Sequence, residues 1–94
     1  MKKRIANKNI FKDMGFSNAE AQHLLLRAEL MQEILNIIER KGWTQAQAAK
    51  HMGISQPRIS EIKADKIELF TIDNLVTMLA TLNKRVEIRI KNAA

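Results

Sequence analysis

The sequence holds few side chains suited to acid-base, nucleophilic or metal chemistry. Its two histidines, His23 and His51, lie on different predicted helices, and only Glu20 places a carboxylate three or four residues from either of them. Because cysteine is absent and no third ligand suggests itself, Glu20 and His23 are better interpreted as a helix-surface pair than as a metal site. We therefore predict no catalytic residue, no cofactor and no bound metal, so that the protein is not an enzyme.

Hydrogen-bonding side chains are instead concentrated in residues 40–66, where six basic residues stand against two acidic ones. An amide such as that of Gln56 can bond N6 and N7 of adenine, and a guanidinium such as that of Arg58 can bond O6 and N7 of guanine. The chain as a whole has 16 Lys and Arg against 10 Asp and Glu, a net charge of +6. This balance favours a polyanionic partner, with nucleic acid as the leading candidate and a merely solubilising lysine surface as the alternative.

The length and composition indicate one small domain. A chain of 94 residues without cysteine has no disulfide framework and room for a single core, which self-association would supplement. The basic start MKKR is followed by Lys8, Lys12 and Asp13, where a secretory signal would be continuously apolar. No stretch approaches the ~18 apolar residues of a membrane span, so we expect a soluble, cytoplasmic protein without a membrane partner.

A long helix is predicted over residues 18–41. Ser17 and Glu20 have the spacing of a capping box, in which the hydroxyl and the carboxylate each accept a backbone N–H of the first turn. Gly42 ends the helix after two basic residues that suit its negative end. Apolar residues recur between these limits at spacings of three and four, which is typical of a helix with one buried face; they are Leu24, Ala28, Met31, Leu35 and Ile38, broadened by Leu30, Ile34 and Ile37.

Two short helices follow, joined by a tight turn. Thr44 and Gln47 form a second capping box, and Gly53 can close the helix from Gln45 to Met52 in the left-handed conformation. Ser55 then caps a third helix that ends near Lys63, with Pro57 in the first turn, where proline is tolerated. Two helices of this length across so short a turn must cross steeply, which predicts a helix-turn-helix unit.

After Lys66 the sequence predicts a loop, a last helix and a strand. Thr71 is placed to cap a helix that runs to about Leu82 and that Asn83 can close. Apolar and charged residues then alternate from Val86 to Ile90, which is typical of a β-strand. The predicted fold is therefore all-α, with about five helical segments and a C-terminal strand over residues 84–91.

The spacing of Gln45, Ala49, Gly53, Ile54, Ile59 and Ile62 resembles the helix-turn-helix pattern of the lambda-repressor-like (Xre) superfamily. The wider chain, through NIFKDMGFS, AELM, GWTQAQAAKHMGISQPRISEIK and VEIRI, is similar to small Xre regulators that serve as HigA-like antitoxins. Two features depart from the pattern: KADK follows the third helix where many relatives have an Asn-Gly turn, and Glu61 places an acid where DNA is expected.

A helix-turn-helix unit lays its third helix in the major groove, with the N-terminal residues of that helix toward the base edges. On that basis Gln56 would read a base, Arg58 would read a base or contact a phosphate, and Pro57 would contact a thymine methyl. Hydroxyl, amide and ammonium groups would bind phosphates. The predicted DNA-binding residues are Gln45, Ser55, Gln56, Pro57, Arg58, Ser60, Lys63 and Lys66.

The predicted organisation is a basic N-terminal segment, residues 1–16, followed by the DNA-binding domain, residues 17–94. An unpaired strand needs a partner, and pairing of Val86, Ile88 and Ile90 with the same residues of a second copy would give a homodimer for a pseudo-palindromic operator. The alternatives are a strand that folds alone onto its own domain and a strand that adds to the sheet edge of a toxin. The resemblance implies repression of the protein's own operon and neutralisation of a HigB/RelE-type toxin. The alternatives are an Xre-type regulator without a toxin and a protein-interaction module without DNA binding; an RNA-binding module is disfavoured by the few aromatic residues.

Overall fold

The computed structural model describes residues 10–92, and this part of the chain is helical. Its elements are α1 (Ile10–Asp13), α2 (Asn18–Lys41), α3 (Gln45–Met52), α4 (Gln56–Lys63), a 3-10 turn (Ile67–Leu69) and α5 (Ile72–Thr81). The predicted all-α fold is confirmed, and the bounds of α2, α3 and α4 are those expected from the sequence. No helix within residues 10–92 has the length and apolar character needed to cross a membrane.

Local capping groups set the helix boundaries. Both predicted capping boxes form: Glu20 N–H donates to Ser17 Oγ at 3.2 Å, and Gln47 N–H donates to Thr44 Oγ1 at 3.1 Å. Thr71 caps α5 in the same way, with the Asn74 side chain in the reciprocal role. Each box satisfies first-turn N–H groups that a helix leaves without internal partners, so it fixes where the helix starts.

Helix ends are closed by residues in the left-handed conformation. After α4 this residue is Asp65 (φ 57°), and Lys66 N–H donates to the Glu61 carbonyl at 3.1 Å. Aspartate tolerates this conformation better than most side chains, so the KADK sequence closes the helix without the glycine of the related pattern. Asn83 (φ 61°) closes α5 as predicted, with Lys84 N–H donating to the Leu79 carbonyl.

One core holds the described helices together, with α2 packed against α4, α5 and the 3-10 turn. Its buried side chains come from every helix after α1 and from the residue that follows the turn. They are Met31, Ile34, Ile37, Ile38, Ala48, Ala49, Met52, Ile59, Ile62, Phe70, Leu75, Met78 and Leu79. The predicted stripe on α2 is thus buried at Met31 and Ile38, whereas Leu24, Ala28 and Leu35 are half-buried.

The predicted C-terminal strand does not form in the described part of this single chain. Residues 84–92 have no regular secondary structure. Val86 packs against the core cluster, while Ile88 is 59% exposed and Ile90 is 95% exposed. A strand requires backbone partners on another strand, and residues 10–92 contain none. The alternating sequence is therefore present without the pairing that would make it a strand.

The chain before α2 folds back on that helix. α1 packs against α2, and the rings of Phe11 and Phe16 meet edge to face with centroids 6.4 Å apart. Ala21, in the first turn of α2, is fully buried. The predicted N-terminal segment, residues 1–16, therefore contains a structured part from residue 10 onward, while its lysines and arginine before that position lie outside the described residues.

Candidate nucleic-acid interface

The turn between α3 and α4 is fixed by backbone hydrogen bonds. Gly53, in the left-handed conformation (φ 68°), donates to the Lys50 carbonyl, and Ile54 N–H donates to the Ala49 carbonyl at 3.0 Å. Ser55 then caps α4 by accepting from Arg58 N–H. Ala49 is buried, which lets the two helices pack closely against each other. The predicted helix-turn-helix unit is thus present in these residues.

α4 buries one side and leaves the other in solvent. Ile59 and Ile62 are fully buried against α2 and α3. Six of the eight predicted DNA-binding residues are exposed at the start of this helix, along it or just after it; they are Ser55, Gln56, Pro57, Ser60, Lys63 and Lys66. Gln56 is the first residue of the helix, and its side chain makes no hydrogen bond to another described residue. The carbonyl and the NH2 group of its amide are therefore both available for bidentate bonding.

Gln45 lies at the start of α3 and is half-buried. The side chain of Thr44 satisfies the Gln47 N–H, which leaves the Gln45 and Ala46 N–H groups without partners inside the helix. These donors, together with the positive end of the helix dipole, suit a phosphate oxygen. The start of α3 is therefore a second candidate for phosphate contacts, in addition to the exposed face of α4.

Arg58 has contacts that the sequence analysis did not anticipate. Its guanidinium carbon lies 4.0 Å from the centroid of the Phe70 ring. Its Nη1 group donates to Glu61 Oε1 at 2.9 Å and to the Leu69 carbonyl at 3.2 Å. These contacts give the Arg58 side chain a structural role, and its assignment to DNA is a separate question.

The pairing of Arg58 with Glu61 changes the charge of this face. Both side chains are 32% exposed, and their opposite charges lie 2.9 Å apart. The acid that departs from the related pattern is therefore compensated within its own helix. Lys50 on α3, Lys63 on α4 and Lys66 after α4 are exposed and form no ion pair with another described residue. The exposed surface of the helix-turn-helix unit therefore carries a net positive charge.

Two aromatic features of this region were not predicted from the sequence: the stacking of Trp43 on His51 and the burial of Phe70. The Trp43 ring stacks on His51 with centroids 4.2 Å apart and an interplanar angle of 7°, which joins the α2–α3 loop to the end of α3. Phe70 is only 1% exposed, although it stands in a stretch without helical periodicity. The apolar pair Leu69 and Phe70 between Glu68 and Thr71 was the available indication in the sequence. Neither histidine belongs to a group of three or more potential metal ligands in the described chain.

Comparison with known proteins supplies family relationships for this arrangement. The model of a helix-turn-helix domain family matches residues 10–91. The chain is 30% identical over 91 residues to an uncharacterized HTH-type transcriptional regulator from Haemophilus influenzae, covering 94% of this chain and 92% of that protein. It is also similar to the solved structure of a protein assigned to the XRE family of transcriptional regulators, with 33% identity and a TM-score of 0.72 over 78% of this chain and 82% of that one.

Proposed function

The chain belongs to the helix-turn-helix domain family and is a DNA-binding transcriptional regulator of the Xre type, and from this we propose that it represses a promoter as a homodimer on a pseudo-palindromic operator. The observation that carries the proposal is the exposed N-terminal end of α4. The Gln56 amide has no hydrogen-bond partner there among residues 10–92, and Lys63 and Lys66 provide positive charge that no residue of this range pairs, along the same helix and just after it. Such a face can read bases in a major groove while its flanks bind phosphates.

The roles of the side chains on this face can be separated by two alanine variants. Gln56→Ala is expected to cost about 1–3 kcal/mol on the cognate operator and to relax the preference at one base pair, because a bidentate base contact is lost. Lys66→Ala is expected to weaken cognate and random duplexes equally and to reduce the salt slope by about one unit, because a phosphate contact is lost. Titrations of both variants at several salt concentrations provide the measurement.

Single-stranded DNA of the same sequence is the control for this titration. The proposal expects much weaker binding to it, since a major groove exists only in the duplex. Equal losses for Gln56→Ala and Lys66→Ala on cognate and random DNA would show that the assigned roles are wrong. Absence of duplex binding at low salt would favour the alternative class, a protein-interaction module.

Dimerisation is part of the proposal and is supported by the C-terminal segment, residues 84–92. Ile88 and Ile90 are exposed beyond the anchored Val86, and an identical segment of a second copy would cover them. Antiparallel pairing about a two-fold axis is self-complementary and would satisfy the backbone of both segments. The two α4 helices would then face half-sites about 34–36 Å apart on one side of the duplex.

A second role, neutralisation of a HigB/RelE-type toxin, is supported by the surface formed by α1 and the start of α2. Ile10, Met14 and Phe16 are exposed apolar side chains there. Phe16 also borders an open groove that continues along α2 past Leu24 to Arg27. Residues 13–39 carry five acids and one basic residue, a balance that would complement a basic ribonuclease. We place the toxin contact on this surface, because it leaves the basic face of α4 free for DNA.

The toxin proposal predicts that two alanine variants separate the two binding functions. Met14→Ala removes a side chain that is 66% exposed, so it should weaken toxin binding by about 1–2 kcal/mol and leave DNA binding unchanged. Lys66→Ala should do the opposite. The probe is the product of each reading frame adjacent to this gene, co-expressed and purified with the chain. If no such product is toxic or binds, the antitoxin role is rejected while the DNA-binding proposal stands.

A further inference from the structure

We infer that Arg58 is a positioning residue: it fixes the orientation of α4 by clamping the 3-10 turn and Phe70, and it does not read a base. This inference rests on the proposed DNA binding by α4 and assigns a different role to one residue of that face. It follows from three contacts of the Arg58 guanidinium, two made by Nη1 and one made with the Phe70 ring. As a consequence, base reading at the N-terminal end of α4 falls to Gln56.

The three contacts of Arg58 use different properties of its head group. The flat guanidinium lies against the Phe70 ring, with 4.0 Å between its carbon and the ring centroid, which is a close cation-π arrangement. Nη1 donates to two acceptors, the Glu61 carboxylate on α4 and the Leu69 carbonyl in the turn, which lies 11 residues after Arg58. A lysine ammonium has no planar face and cannot reproduce this combination.

The turn that Arg58 holds is itself fastened to the rest of the protein. From α2, Nη1 of Arg27 donates to the Ile67 and Phe70 carbonyls at 3.4 and 3.2 Å. The Phe70 side chain is buried in the core cluster. The turn is thus held by Arg27 from α2 and by Arg58 from α4. In addition to the buried contacts of Ile59 and Ile62, Arg58 therefore connects α4 to this anchored turn.

Glu61 makes release of Arg58 onto DNA costly. If the guanidinium moved to a guanine, the Glu61 carboxylate would lose its cation and would face the phosphates of the duplex with an uncompensated negative charge. The Leu69 carbonyl and the Phe70 face would lose their partner in the same step. The acid on α4 is therefore explained as the counter-ion that keeps Arg58 in its clamping position.

The test compares Arg58→Lys and Phe70→Leu with Gln56→Ala on a duplex that the wild-type chain selects from randomised DNA. Measurements are made at a temperature where circular dichroism shows every variant to be folded. Both clamp variants should lower affinity by about 3- to 30-fold, as expected for loss of the cation-π contact that each substitution removes. The base preference at each operator position and the salt slope should keep their wild-type values. In the double variant the losses should be less than additive, because both substitutions break one clamp.

Three results would overturn the inference. A flattened preference at one base pair in Arg58→Lys, similar to that of Gln56→Ala, would make Arg58 a base reader. A salt slope reduced by about one unit in a further variant, Arg58→Gln, would make Arg58 a phosphate contact. Unchanged affinity in folded Arg58→Lys would leave Arg58 a purely structural role.

The clamp can also be measured without DNA, which separates its failure from failure of the proposed function. If the wild-type chain selects no duplex, the DNA-binding proposal fails. The amide resonances of α4 in the free protein still report on the orientation of this helix. Arg58→Lys should shift the resonances of the whole helix, including that of Gln56 at its start. Shifts confined to residues next to Arg58 and to the 3-10 turn would show that the side chain does not orient the helix.

Discussion

Ile88→Asp is expected to convert the protein to a monomer and to weaken operator binding by about 10²–10⁴-fold, the range by which two linked sites exceed one. Ile88 is 59% exposed in the single chain, so the substitution removes little from the monomer's own core. In the proposed dimer the same side chain would be covered by a second copy, where a carboxylate would be buried without a partner. Sedimentation velocity and operator titration measure the two effects.

Arg89→Asp is the matched control, because it introduces the same carboxylate at the neighbouring position of the alternating segment. It should remain a dimer in sedimentation, since alternate residues of a paired strand point to opposite faces. Ending the chain at Lys84 should also give a monomer with largely unchanged helical circular dichroism, because α5 ends at Thr81. If that shortened chain is a dimer at micromolar concentration, the C-terminal segment is not the interface and α2 becomes the next candidate.

The helices could be predicted from the sequence because their limits depend on residues three to five positions apart. Ser17 and Glu20 start α2, Thr44 and Gln47 start α3, and Gly53 ends α3, each through hydrogen bonds to its own turn. Such contacts form whatever the rest of the chain does, so residue type and spacing are enough to identify them. The exposed side of α4 followed from the same local information, since burial of Ile59 and Ile62 determines which residues face solvent.

The contacts of Arg58 could not be predicted in this way. They join α4 to the Leu69 carbonyl, 11 residues away, and to a ring whose position depends on α2 and α5. Phe70 lies between the 3-10 turn and α5, so it belongs to no helical run whose periodicity would mark it as buried. The C-terminal strand could be predicted from its alternating pattern, but the sequence does not show whether a backbone partner exists, and residues 10–92 contain none. Long-range packing determines both features.

Phe70→Ala is expected to lower the free energy of unfolding by about 3–5 kcal/mol, the usual cost of removing a buried phenyl ring from a core. Phe70 is 1% exposed and packs with side chains of α2 and α5, so the substitution leaves a cavity that these helices cannot easily close. It also removes the face on which the Arg58 guanidinium lies. For a domain of this size the loss is a large part of the total stability, and urea denaturation followed by circular dichroism measures it.

Leu69→Ala is the control for this prediction, because Leu69 is the neighbouring residue, is 44% exposed and accepts the Arg58 hydrogen bond with its backbone carbonyl, which the substitution keeps. It should cost less than about 1 kcal/mol, as expected for a residue outside the core. If Phe70→Ala does not fold, Phe70→Leu retains most of the buried volume and should lose about 1–2 kcal/mol. Equal midpoints for the Leu69 and Phe70 variants would mean that the turn after α4 is not anchored in the core, and the orientation of α4 would then depend on Ile59 and Ile62 alone.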